Sequence, residues 1–260
     1  MHMKITFYWT GLIAILFSTL SSAAEIDRLA VEQALAKANK ANPADLGRKD
    51  LTDIDLSNLD FTLARLWGSD LRRSDLSNSD LSGLNLDLSV LSKVNFSNAN
   101  LANTSIFGVH IGSAILINAN MSNSRFIGVM DRANLSKANL THALWGADMK
   151  NQSMGLMRAS LNNVNFTGAN LSYANFDRAL MRYANFSNAN LHNAVLFGVD
   201  LSGADFSGAD LSGADLTGTT LEDTNFAGAD LAGTRFAGIK DKSKLKGLRS
   251  SKNLDKALID

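Results

Sequence analysis

From Ala44 to Ile239 the apolar and polar positions of the chain recur every five residues. The stretch Leu201-Ser202-Gly203-Ala204-Asp205, Phe206-Ser207-Gly208-Ala209-Asp210 shows the unit. A large apolar residue, the centre, has a small residue two places before it and commonly Asn or Asp one place before it. Period five matches neither the 3.6 residues of an α-helix nor the simple alternation of a strand. It fits a chain that takes a short extended step and then turns a corner, repeatedly. Side chains alternate within an extended step, so the centre and the small residue two before it share one side and face a common axis. The other three positions, rich in Ser, Asn, Asp and Gly, face water and form the corner. Gly at the fifth place, as at Gly203 and Gly208, suits a turn that needs positive φ.

Side-chain size shows how many corners close one coil. Phe166, Phe186, Phe206 and Phe226 stand twenty residues apart, and Leu171, Leu191, Leu211 and Leu231 form a second uniform set. Four fives per coil would stack the aromatic rings on one wall of a square tube. Ten or so coils at a strand-like spacing of ~4.8 Å predict a tube roughly 45–50 Å long.

This pattern resembles the pentapeptide-repeat proteins, whose motif is small–Asp/Asn–Leu/Phe followed by two variable residues, and the resemblance extends from Ala44 to Ile239. It implies an all-β solenoid, a right-handed quadrilateral β-helix; the handedness follows from the family and not from the spacing. It also implies two roles known in the family. Some members dimerise through a C-terminal helix, and some mimic DNA and protect type II topoisomerases from inhibitors.

The repeat is broken once. After Phe126 the next centres are Met130, Leu135, Leu140 and Trp145, one residue early, with Met149 a further slip. The segment 150–155 lacks the motif and reads as a loop, and the original register returns by Leu161. The break spans about 127–160, and columns cannot be aligned across it from sequence.

The ends depart from the repeat. Residues 1–24 have a basic start, an apolar run from Ile5 to Leu20 and the small residues Ser22-Ala23-Ala24, the pattern of an export signal cleaved after Ala24. The chain is therefore expected in the periplasm or outside the cell, with no membrane span after cleavage. Residues 25–43 predict a capping helix with the stripe Ile26, Leu29, Ala30, Ala34, Ala38 and Ala41, stopping at Asn42 because Pro43 disfavours helical geometry before it. Residues 240–260 read as a C-terminal cap or dimerisation segment, with Ser251 capping a short helix that presents Leu254, Ala257 and Leu258. Short helical segments are thus expected at both ends, and a homodimer through the C-terminal one is an open partner reading.

Composition narrows the function. Without cysteine there are no disulfides and no lipid-modified cysteine. The 25 basic and 25 acidic residues cancel, so no global field points to nucleic acid or an anionic membrane. Locally, residues 44–239 carry a net −5 and residues 240–260 a net +4. His110, His142 and His192 show no metal-ligand spacing. No phosphate loop or nucleophile motif appears, so no catalytic, cofactor or metal residue is assigned and no enzyme is expected. The informative positions are outward ones that break the polar rule. Trp67, Phe107 and Ile127 share one column, and Ile115 and Ile117 lie two walls on. Tyr173, Leu180 and Tyr183 accompany Arg178 and Arg182, followed by Val195 and Phe197. Exposed aromatics with Arg have the composition of protein contact patches. The candidate patch is Trp67, Phe107, Ile127, Tyr173, Arg178, Arg182, Tyr183 and Phe197. The expected function is an exported, non-catalytic scaffold that binds a protein partner not named by the sequence. The alternative is a DNA mimic acting on a type II topoisomerase, which a modest −5 and an export signal disfavour.

Overall fold

The structure, a computed structural model, describes residues 26–149, 157–238 and 245–259. The repeats wind into a four-walled tube. Walls 1 to 4 begin at the centres Leu46, Leu51, Leu56 and Phe61, all of them buried. One coil pairs in parallel with the next through short bridges twenty residues apart, such as Asp55 with Asp75 and Asn185 with Asp205. The hydrogen bonds run both ways: Phe166 N–H donates to Asn185 O (2.7 Å), and Asn185 N–H donates to Val164 O (2.9 Å). Longer strands occur where pairing continues around a corner, notably β1 (Ser105–His110) against β2 (Arg125–Val129).

Each five-residue step has a local cause. The Asn or Asp before the centre turns its side-chain oxygen back to the N–H two residues on, as Asp210 does to Ser212 (2.9 Å). The small residue that opens the next step donates its N–H to the centre three residues back, as Ala169 does to Phe166 O (2.9 Å). The turn between them places its second residue at φ near +60°, for example Asn188 at 57° and Gly208 at 67°. Where the inward small position is Ser or Thr, the buried hydroxyl donates to a centre carbonyl, as Ser69 does to Leu66 O (2.6 Å). No polar atom is stranded there.

The aromatic column is stacked as its spacing demands. Phe166, Phe186, Phe206 and Phe226 lie face to face with centroids 5.0, 4.7 and 5.5 Å apart and planes within 8°. Such contacts add about 0.5–1.5 kcal/mol per pair beyond area burial.

The break in the repeat resolves into two unequal coils. Arg125 pairs with Leu144 and Leu144 with Asn175, steps of 19 and 31 residues. The missing residue is lost at Gly128, which pairs with Val109 and leaves Gly108 without a counterpart. A Cβ on Gly128 would stand 2.3 Å from Val109 O, so the short corner closes only around a glycine. Met130, Leu135, Leu140 and Trp145 are then fully buried centres. Trp145 packs between Phe126 and Phe176 (5.0 and 5.8 Å) and donates its Nε1 proton to Ser124 Oγ (3.0 Å). Met149 is exposed and is not a centre, and Asp148 pairs antiparallel with Met157. The loop expected at 150–155 lies outside the described residues, as does the signal segment 1–24.

Both ends differ from the sequence expectation. Helix α1 spans Arg28–Lys37, with Asp27 accepting from Ala30 N–H (2.8 Å) at its start. It stops before Asn42 because the Asn39 side chain takes the N–H groups of Ala41 and Asn42 into a local turn. The residues packed on the core are Val31, Ala34, Leu35 and Ala38, with Ile26 just before the helix as expected, whereas Leu29, Ala30 and Ala41 are exposed. Arg28 donates to Asp55 O and Ser57 O (3.0 and 3.1 Å). One coil further, the equivalent carbonyls of Asp75 and Ser77 receive the N–H groups of Leu56 and Asn58. The guanidinium therefore replaces two backbone donors of the coil that is not there.

At the other end the described residues 245–259 form no α-helix. Lys246, Lys252 and Leu258 pair with Asn225, Asp230 and Arg235, a six-residue step with 3-10 turns at Leu248–Ser250 and Leu254–Lys256. The backbone continues the ladder (Lys252 N–H to Ala229 O, 2.7 Å), and this pairing wins over helix formation. Ser251 closes the turn before it, donating to Leu248 O (2.6 Å). Among the described residues no helix is long and apolar enough to cross a membrane.

Two measurements check this account. Gly128→Ala is expected to destabilise the tube by about 1–3 kcal/mol or more through overpacking. Gly83→Ala, at positive φ with open space around it, is expected to cost only about 1–2 kcal/mol; denaturant midpoints compare the two. At the C-terminal coil, Asn253 donates to the Asp230 carboxylate, and this bond, with the Ala232 N–H and then Lys252 and Lys256, holds its pKa below the usual range. A depressed folded pKa contributes stability that is full above the unfolded value of about 4 and is lost as pH falls through the folded value. Amide protection factors in residues 245–259, corrected for the intrinsic exchange rate at each pH, are therefore expected to fall below pH ~4 in the wild type, and less steeply in Asp230→Asn.

Candidate functional site

The four walls have different chemistry. On wall 4 the outward positions are Asp, Asn, Ser, Thr, Ala and one His. There Asn100, Asn120 and Asn139 each donate to the residue one coil below (3.1 Å) in an amide ladder that begins on Asp80. Wall 1 is the opposite case. One outward column along it reads Trp67, Asp87, Phe107, Ile127, Gly146, Asp177 and Phe197, and the adjacent column brings Leu144 and Val195. Phe107 and Phe197 are ninety residues apart, which in a uniform twenty-residue coil would put them on opposite walls. The 19- and 31-residue coils together shift the register by ten residues, two walls, and place Phe197 in the column of Phe107.

The predicted site residues thus separate into groups. Phe107, Ile127 and Phe197 share wall 1, with Arg178 at its edge. Arg178 lies over the Phe197 ring (5.1 Å), pairs with Asp177 (2.7 Å) and touches Met149 Sδ (3.6 Å). Trp67 is on the same wall two coils below Phe107, with Asp87 between, and carries the Arg48 guanidinium 5.0 Å above its ring. Tyr173 and Tyr183 stand at diagonally opposite corners and cannot join one flat surface. Tyr173 stacks on His142 (5.1 Å, 12°) and meets His192 edge-on (5.6 Å). Tyr183 neighbours Arg182, which pairs with Asp200. Burial raises the Asp200 pKa, but hydrogen bonds from Ser202 and Arg182 outweigh it and hold the carboxyl below the usual range.

Tyr173, Arg178 and Tyr183 occupy three successive corners at φ 57–60°, the left-handed region that disfavours L residues with large side chains by about 1–2 kcal/mol. One coil on, the places of Arg178 and Tyr183 are taken by Gly198 and Gly203. A Cβ on Gly203 would lie 2.4 Å from Cδ1 of Tyr183, so the tyrosine ring edge takes the space a side chain at Gly203 would need.

A hollow of about 470 Å³ opens on wall 1 where the 31-residue coil begins. Phe107, Ile127, Leu144 and Gly146 form its apolar floor, with Arg125 on one side and Asp148, Met149 and Asp177 on the other. The sequence reading missed Arg125, Leu144, Met149 and Asp177 here. Leu144 did carry a signal, since it stands before the centre Trp145 where Asn or Asp is usual. Among the described residues no cluster of His, Asp and Glu could hold a metal ion.

Repeated parallel pairing, a buried centre every fifth residue and four unlike walls define a quadrilateral β-helix solenoid. The chain belongs to the pentapeptide-repeat family, whose pattern "Pentapeptide repeats" matches in 8 copies over residues 44–78, 69–108, 107–151, 159–198 and 200–238. The family is generally non-catalytic. No curated protein matches the chain. Among solved structures it is similar to HetL, a pentapeptide repeat protein involved in heterocyst differentiation regulation from the cyanobacterium Nostoc sp., at 26% identity over 90% of this chain and 99% of that one, TM-score 0.44. It is also similar to QnrB1, a plasmid-mediated fluoroquinolone resistance protein, at 21% identity over 81% and 93%, TM-score 0.40. Rfr23 from the cyanobacterium Cyanothece matches at 25% identity over 51% and 91%, TM-score 0.23.

The corner geometry sets an expectation for stability. Tyr183 is 65% exposed, so Tyr183→Gly gives up little burial and relieves a left-handed residue. Its melting midpoint is expected to rise, by an amount equivalent to roughly 1 kcal/mol; a lower midpoint would show that the ring on Gly203 contributes more than the backbone strain costs.

Proposed function

We propose that the protein is an exported, non-catalytic scaffold that binds a protein partner through wall 1. One observation carries this reading: wall 1 gathers Trp67, Phe107, Ile127, Leu144, Val195 and Phe197, while wall 4 of the same tube is a polar ladder. Burying such a face against a partner removes apolar area from water at about 25 cal/mol per Å². Aromatic residues with Arg are the usual anchors of protein interfaces. A solenoid adds rigidity, so the face is presented without an ordering cost on binding. Export is supported by the basic, apolar and small-residue order of residues 1–24. The DNA-mimic alternative draws less support, because the carboxylates are interleaved with arginines such as Arg72, Arg73 and Arg182 that pair with them.

The test is capture of partners by the tagged protein from the cell envelope, where the mature chain is expected to begin at Glu25. The wall 1 variant Phe107→Ser/Phe197→Ser is expected to lose capture at least tenfold with an unchanged circular dichroism spectrum. The wall 4 variant Ser122→Arg is expected to keep it. Equal capture by all three proteins would remove wall 1 from the reading, and an intact Met1 in the cytosol would remove export.

A further inference from the structure

Asp177 Oδ1 is, among the described residues, the one buried side-chain oxygen or nitrogen without a hydrogen-bond partner. A buried acceptor left unpaired is costly and calls for a donor. Its own salt bridge does not provide one: Arg178 Nη1 binds the other oxygen, Oδ2, and the guanidinium is held over Phe197. The backbone N–H of Asp177 is committed to Asn175 Oδ1 (2.8 Å). Asp177 belongs to the wall 1 hollow, together with a second carboxylate, Asp148. Next to them Gly146 contributes no side chain, and along the axis Ile127 lies two coils away, ~10 Å, and Phe107 three coils away, ~14 Å, as the apolar floor. Arg125 stands beside that apolar end and repels a second cation there, which gives the hollow one polarity.

We propose that this hollow receives the Lys or Arg side chain of an extended partner segment, with the partly exposed Asp177 carboxylate as its acceptor and the floor between Ile127 and Phe107 as the seat of an apolar residue about 10–14 Å further along. The proposal rests on the wall 1 reading and gives the partner its chemistry: basic at one end, apolar at the other.

The probe is the labelled peptide acetyl-Arg-Ala-Ala-Leu-Phe-amide, titrated against the mature chain by fluorescence anisotropy. Saturable binding is expected, weakened at least tenfold when Glu replaces the peptide Arg, and likewise by Asp177→Asn or Ile127→Ser in proteins whose melting curves are unchanged. The proposal is overturned if the Arg peptide fails to bind at millimolar concentration, if the Glu peptide binds as well, or if Asp177→Asn has no effect. Arginine amide competing as tightly as the peptide would make this a small-cation site and remove the extended segment. If envelope capture is lost in Phe107→Ser/Phe197→Ser but intact in Asp177→Asn, the basic occupant falls and wall 1 as a contact surface stands.

Discussion

The backbone ladder between coils is the constraint from which the other features follow. Each coil gives its N–H and C=O groups to the coils above and below, so equivalent residues must lie over one another at a strand-like spacing. That condition forces large side chains into columns and lets phenylalanine rings stack. It also makes the corner conformation at φ near +60° compulsory whatever residue stands there. A change in coil length is tolerated only if the whole coil recovers alignment, and the 19- and 31-residue coils do so with every wall continuous.

Most of the tube was legible because its signal is redundant: dozens of centres report one period, and four phenylalanines report the coil length. The capping stripe was legible at Ile26, Ala34 and Ala38 but not at Val31 and Leu35, because a short helix offers few positions and alanines fit a buried or an exposed face equally. The C-terminal segment was legible as a cap with short helical character but not as ladder, because its six-residue step occurs too few times to reveal a period. The candidate site was half legible. Outward apolar residues could be picked out one by one, but their joint placement depends on how many residues the irregular coils consume. Phe107 and Phe197 come to share one column of wall 1, four coils apart, only because the 19- and 31-residue coils together shift the register by two walls.

The same backbone therefore carries two kinds of surface. On wall 4, side chains follow local demand, and Asn and Asp serve the turn and one another. At the corners bearing Tyr173, Arg178 and Tyr183, side chains sit in a conformation they disfavour, and in two of the three the next coil supplies a glycine beneath. Such conflicts between local preference and fold tend to gather at functional sites. Wall 1 is bordered by the Tyr173 and Arg178 corners and combines them with an apolar face and an unpaired carboxylate oxygen.

Arg28 has a consequence for assembly. A ladder that welcomes one more rung at each step is a template for endless growth. By seating a planar cation on two carbonyls of wall 3, the chain terminates that side with a group that has no carbonyl to offer in return. Another copy cannot continue the ladder at wall 3 without first evicting the guanidinium. A single side chain thus gives a periodic structure a defined beginning there, and helps a polymer-like architecture exist as a molecule of finite length.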